Sequence, residues 1–239
     1  MKSIQSTFIC LILIAAFLNG CNQAAKAPTQ TNPLFSLLDA SSTGIEFNNE
    51  LTYTEELNPY TFRNFFNGGG VGLGDVNNDG LIDIFFSGNL VDNKLYLNRG
   101  NFKFDDISGK AGITSQEVWT TGVSMVDINA DGWLDIYLCK SGPSGGPNRS
   151  NELLINDGDT VNGPHFTNQA VAYGIADIGL SVHAAFFDYD KDGDLDLYLL
   201  NNSIRTVGGY DLRKGQRDIP DLDGGNKLYK NDGGKFTNV

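Results

Sequence analysis

The sequence predicts an all-β fold: a β-propeller of four-stranded antiparallel blades, about three of them, forming part of a ring. Three observations carry this. An acidic stretch is written three times, as "DVNNDGLID" (75–83), "DINADGWLD" (127–135) and "DYDKDGDLD" (188–196). Each copy is flanked by the same series of strand-like and turn-like words. The copies recur after 52 and 61 residues, a period that fits one blade of four short strands per repeat. Hydrophobic content of 40% with 29 glycines in 239 residues also suits a turn-rich β fold.

The chain opens with Met1 and Lys2, then an apolar run from Phe8 to Leu18 that is too short to span a bilayer. Residues 1–20 therefore read as an export signal. Small Gly20 before Cys21 resembles a bacterial lipobox, in which the cysteine is lipidated and becomes the new N-terminus; ordinary signal cleavage nearby is the other reading. Residues 21–33 are polar and contain proline, as a tether would. Of the three cysteines, Cys10 leaves with the signal and Cys21 carries lipid. Cys139, in the strand-like "LDIYLCK", is expected to be a small buried hydrophobe. That leaves no disulfide framework, so something else must hold the loops.

Residues 34–239 hold the repeats. Small or apolar residues lead into each acidic stretch: "GVGLGD" (70–75), "GVSMVD" (122–127) and "HAAFFD" (183–188). "IDIFFSGN", "LDIYLCKSG" and "LDLYLLNN" follow, rich in β-branched and aromatic residues. "NKLYLNRGNFKF", "NELLINDGDTVNGPHF" and "NKLYKNDGGKF" then each give a strand, a turn and another strand. "FDDISGKAGI" (104–113) and "FTNQAVAYGI" (166–175) close the units. "FSLLDASSTGI" (35–45) matches these closers although no repeat precedes it, as expected of a segment that completes a blade begun at the other terminus. Three repeats are fewer than a typical closed ring, and "GGKFTNV" stops inside a closer. The expectation is an N-terminal piece of a longer protein; the alternative is an open arc with exposed edges.

The acidic stretches explain the charge. Eleven of the 29 acidic residues lie in them, while the whole chain carries a net charge of −12. The remainder is thus near neutral, and without a basic face nucleic acid is excluded as a partner. Oxygen donors at positions 1, 3, 5 and 9, glycine at position 6 and a backbone carbonyl at position 7 suit calcium, a hard cation. The candidate ligands are Asp75, Asn77, Asp79 and Asp83; Asp127, Asn129, Asp131 and Asp135; and Asp188, Asp190, Asp192 and Asp196. Leu81, Trp133 and Asp194 would add carbonyl oxygens. An EF-hand is excluded because it needs glutamate at position 12, where this chain has Phe86, Leu138 and Leu199. The competing reading is a set of metal-free Asn-Asp-Gly turns. The third loop has five acids against three and should bind most tightly if charge count dominates.

With these loops, the four-strand unit and the "F…AGI" closers, the chain resembles the FG-GAP/VCBS repeats of integrin-α-like β-propellers. The segment "NGGGVGLGDVNNDGLIDIFFSGN" is especially similar to exported repeat lipoproteins of Bacteroidetes-type bacteria. The resemblance implies a calcium-stabilised binding propeller at a bacterial outer membrane or cell surface.

Two functions follow. The first is a non-catalytic binding or adhesion module for a glycan or surface protein, touching the membrane only through lipidated Cys21. The second is a propeller polysaccharide lyase or hydrolase with its site on the inter-strand loops. For catalysis only His165 and His183 are available, His183 being the better placed. No G-x-S-x-G or H-E-x-x-H motif occurs. Candidate ligand loops are the insertions 141–150 and 201–225, the latter gathering Arg205, Tyr210, Arg213, Lys214 and Arg217, a mix suited to acidic sugars.

Overall fold

Among the described residues, twelve short strands pair strictly with their neighbours in sequence. In this computed structural model, which describes residues 34–113, 118–142, 148–203 and 224–239, they form three sheets. The first is β1 (Val71–Gly74), β2 (Asp83–Phe86), β3 (Lys94–Asn98) and β4 (Phe104–Asp106). The second is β5 (Thr120–Val126), β6 (Asp135–Lys140), β7 (Glu152–Asn156) and β8 (Phe166–Asn168). The third is β9 (Ser181–Phe187), β10 (Asp196–Asn201), β11 (Lys227–Asn231) and β12 (Phe236–Asn238). All pairings are antiparallel. The fold is a partial, open β-propeller of three blades, as the repeat predicts.

Register places the acidic stretches. Gly74 pairs with Asp83, Val126 with Asp135 and Phe187 with Asp196. Each stretch is therefore the turn between a blade's first and second strands, and its ninth residue is already the first residue of the second strand.

Blades adhere through apolar layers. Phe85, Leu95, Leu97 and Val76 of the first blade meet Val123, Ile136, Leu138 and Leu154 of the second. Tyr137, Cys139 and Leu153, on the other face of the second blade, meet Ala184, Leu197, Leu199 and Tyr229 of the third. Strand β6 is accordingly buried at every position, since alternate residues serve opposite neighbours. Cys139 is fully buried within the second layer, as expected.

The first strands approach too closely for side chains. A Cβ on Gly70 would lie 2.5 Å from the Thr121 carbonyl oxygen, and one on Gly122 2.4 Å from that of Val182. Hydroxyls stitch the same seam: Ser87 Oγ donates to the Thr121 carbonyl (2.6 Å) and Thr121 Oγ1 to that of Ser181 (2.8 Å).

The closers add a helical turn to the strands. After the fourth strand the second repeat makes a helical turn, α2 (Ala170–Tyr173), and the 35–45 segment makes its counterpart, α1 (Ala40–Thr43). Residues 36–39 are not a strand, so the N-terminal segment contributes the turn without a pairing strand. Gly44, Gly112 and Gly174 end the closers, where an added Cβ would meet the carbonyl oxygens of Phe104, Phe166 and Phe236 at 2.4, 3.1 and 2.8 Å. Each closer thus rests on the fourth strand of the following blade. The chain divides into units 1–38 and 39–239; the described residues of the first, 34–38, form neither helix nor strand.

Candidate metal centre

Loops one and two are superposable hydrogen-bond patterns. Asp75 accepts the N–H groups of Asp79 (3.1 Å) and Gly80 (2.7 Å), and Asp127 those of Asp131 (3.0 Å) and Gly132 (2.9 Å). Asp79 and Asp131 accept from the seventh residues, Leu81 and Trp133, each at 2.8 Å. The amides of Asn77 and Asn129 donate to Asp79 and Asp131 (2.9 and 2.8 Å). Gly80, Gly132 and Gly193 have φ of 85°, 88° and 99°, conformations that L side chains rarely adopt. Position 6 must therefore be glycine for the carboxylates to turn back on the backbone.

The ninth aspartates differ from the rest. Asp83, Asp135 and Asp196 are fully buried. One oxygen of each accepts the N–H of the loop's second residue, Val76 (2.9 Å), Ile128 (3.1 Å) or Tyr189 (2.9 Å). The other accepts the N–H of an asparagine ending the third strand, Asn98 (2.8 Å), Asn156 (2.9 Å) or Asn231 (2.8 Å). Burial pushes the carboxyls of Asp83 and Asp135 up to about 6, against these hydrogen bonds. The asparagines were missed as part of the site: they recur as "LN", "IN" and "KN" but read as hairpin turn residues.

In loop three the carboxylates converge. Oxygens of Asp188, Asp190 and Asp196 lie within 4.8 Å of one another, a spacing that one cation ligated at 2.3–2.6 Å can bridge. Where the other loops have asparagine at position 3, this one has Asp190, so a third acid replaces an amide donor. This group can hold a cation, and its hard oxygen donors fit calcium. Asp192 accepts the N–H of Asp194 (3.1 Å), and Asp194 that of Gly233 (2.9 Å). Lys230 Nζ lies 2.6 Å from Asp190 and 3.4 Å from Asp192, a positive charge that the loop sequence does not reveal.

The remaining candidates fall apart from this centre. His165 precedes β8, with Nδ1 4.0 Å from Asp157; His183 lies on β9. Cys21 and the proposed ligand residues Arg205, Tyr210, Arg213, Lys214 and Arg217 lie outside the described residues.

Fold and loops define a class: stacked four-stranded blades, each with an aspartate-rich turn between its first two strands. In keeping with this, residues 54–138 match the FG-GAP-like repeat family. The chain is also similar to Cartilage acidic protein 1 of Xenopus tropicalis, 29% identical over 166 residues, covering 69% of this chain and 24% of that protein. Cartilage acidic protein 1 of Mus musculus is 28% identical over 143 residues, covering 58% and 20%. The chain spans less than a quarter of the length of these relatives. They are animal proteins, so the likeness concerns the repeat and says nothing of bacterial lipidation. Among the described residues no helix is long and apolar enough to cross a membrane.

Proposed function

We propose that the chain is a calcium-stabilised, non-catalytic binding module, exported and held at a bacterial outer membrane or cell surface through lipid on Cys21. Its ligand is a glycan or a surface protein. The observation that supports this best is the convergence of Asp188, Asp190 and Asp196 in a turn that the chain repeats three times. Lys230 offsets part of the repulsion among these carboxylates, and a divalent cation bridging Asp188, Asp190 and Asp196 would offset the rest. Loops one and two would take the ion through Asp75, Asn77, Asp79 and Asp83, and through Asp127, Asn129, Asp131 and Asp135. The seventh-position carbonyls of Leu81, Trp133 and Asp194 would complete the three sets.

Binding to the folded loops alone adds about 2.7 kcal/mol per site at 100-fold saturation, roughly 5–10 °C in melting temperature for a domain of this size. Thermal unfolding followed by circular dichroism tests it. EDTA should lower the melting temperature by that order per occupied site, and calcium should restore it better than magnesium. An unchanged melting temperature on chelation would sink the metal reading.

A further inference from the structure

Loops one and two are joined across the seam between their blades by two hydrogen-bonded bridges, neither of which has a counterpart at loop three among the described residues. The first bridge is buried. The Asn156 side-chain amide donates to the Val76 carbonyl of the first blade (2.8 Å) and to the Leu134 carbonyl of its own (3.2 Å). Val76 is the second residue of loop one, and Asp83 accepts its N–H; Asp135 accepts the N–H of Asn156. A continuous path thus runs from the ninth aspartate of loop one to that of loop two, through residues that are 0% and 2% exposed. The second bridge lies at the surface. The Asn78 amide donates to the Gly132 carbonyl (3.0 Å), and Asp127 accepts the Gly132 N–H.

Side chains, and not a difference in backbone, restrict the bridges to this seam. The fourth residues of the three loops, Asn78, Ala130 and Lys191, share a left-handed conformation, with φ of 56°, 57° and 65°. Asparagine alone among them carries a short amide. Asn231, the counterpart of Asn156, donates to the Leu195 carbonyl of its own blade (3.1 Å) and, among the described residues, to nothing in loop two.

The bridges make the two loops share the cost of ordering. When either loop leaves its place, the carbonyls of Val76 and Gly132 lose their partners, and a buried carbonyl left unpaired is costly. A ligand that orders one loop therefore lowers the ordering cost at the other, which is positive coupling without a change of fold. We propose that loops one and two take calcium cooperatively, as a linked pair, whereas loop three binds independently. The inference rests on the calcium reading of the three loops and adds a relation between them.

Trp133, the seventh residue of loop two, supplies a local probe. In the ¹⁵N-labelled whole chain its indole N–H signal, assigned with Trp133→Phe, is followed through a calcium titration in 0.15 M salt, where exposed charges more than about 8 Å apart are largely screened. Asp75→Ala disables loop one and should weaken calcium at loop two about fivefold, the lower end of ordinary coupling. Asp188→Ala disables loop three and should leave that affinity unchanged. In an Asn78→Ala background, which gives loop one the residue that loop two already has at this position, the effect of Asp75→Ala should shrink. Amide hydrogen exchange in EDTA reads the bridge without metal and without touching a ligand residue. There Asn78→Ala should speed exchange of the Asp131 and Gly132 N–H groups roughly two- to tenfold, the worth of one hydrogen bond, and leave that of Gly193 unchanged. Loop-two affinity that ignores Asp75→Ala, or that Asp188→Ala weakens equally, overturns the proposal. Exchange at Gly132 that ignores Asn78→Ala does the same, and this arm decides if Asp75→Ala does not fold. A Trp133 signal that calcium never moves overturns cooperative binding together with the calcium reading of loop two. A signal that moves without coupling overturns this proposal alone, so the two failures are distinguishable.

Discussion

Lys230 changes the ranking of the three loops. By charge count the third loop is the strongest candidate for calcium, yet Lys230 already sits on Asp190 and Asp192 and lies 3.5 Å from Asp232. Its hydrogen bond holds the Asp190 carboxyl below the usual carboxylate range, and the same contact raises the Lys230 ammonium. Leu97 and Ile155 hold the matching third-strand positions in the other blades, so among the described residues only the third loop carries a built-in competitor for its cation. Replacing Lys230 by the leucine of the first blade should tighten calcium at this loop roughly three- to tenfold, from Coulomb repulsion removed in a largely aqueous setting. Calorimetric calcium titration of wild type and Lys230→Leu measures this; weaker binding in the variant would mean that the lysine orients the carboxylates instead of competing. The nine loop residues were legible because their spacing is local. Lys230 was not, because it meets Asp190 only after β10 and β11 have paired.

Each turn and its blade form one mechanical element through the ninth aspartate. Asp83 and Asp135 tie a loop's second residue to the end of the third strand, so loop order and strand pairing depend on each other. Sequence logic assigned these residues to the metal; the structure shows that they also clamp backbone N–H groups from two elements. This double use has a pH signature. Their carboxyls are raised by burial to about 6, from an ordinary value near 4. The folded state therefore holds protons that the unfolded chain has released. That stabilisation is complete below about pH 4 and is lost as pH rises through about 6. In chelator, the urea midpoint should fall between pH 4.5 and 7 and level off above. Asp106, where hydrogen bonds accepted from Lys94 and Ser108 outweigh burial, and Asp159, which accepts hydrogen bonds from Asn162 and Val161, have lowered carboxyls and act in the opposite sense but below this window. Calcium should flatten the slope, since a cation favours the ionised form that burial penalises. A midpoint that climbs across the window without metal would contradict the clamp geometry.

At the scale of the whole arc, the same residue position has different work in different blades. Phe85, Tyr137 and Tyr198 each stand two residues after the ninth aspartate, on the face turned towards the following blade. Phe85 and Tyr137 are completely buried, whereas Tyr198 is 39% exposed, with Leu200 (41%) and Phe187 (44%) beside it. The repeat made the blades legible and even the stacking order, because alternating residues must face neighbours. It could not grade the burial of equivalent residues, since that depends on which blade has a neighbour on that side. Tyr137 donates its hydroxyl to the Ile175 carbonyl (2.8 Å) and accepts from Asn151 (3.0 Å), while Tyr198, among the described residues, accepts from the matching Asn226 (2.9 Å) alone. Stability in stacked repeats is a sum of blade and nearest-neighbour interface contributions. Tyr137→Ala opens a cavity between two blades and strands buried partners, so it should cost about 3–5 kcal/mol. Tyr198→Ala removes a side chain from one open face and should cost about 1 kcal/mol or less. Urea unfolding of both variants in saturating calcium gives the comparison. Equal costs would mean that the outer face of the third blade is covered in solution. Sedimentation velocity at the same concentrations would then show whether a second copy of the chain covers it.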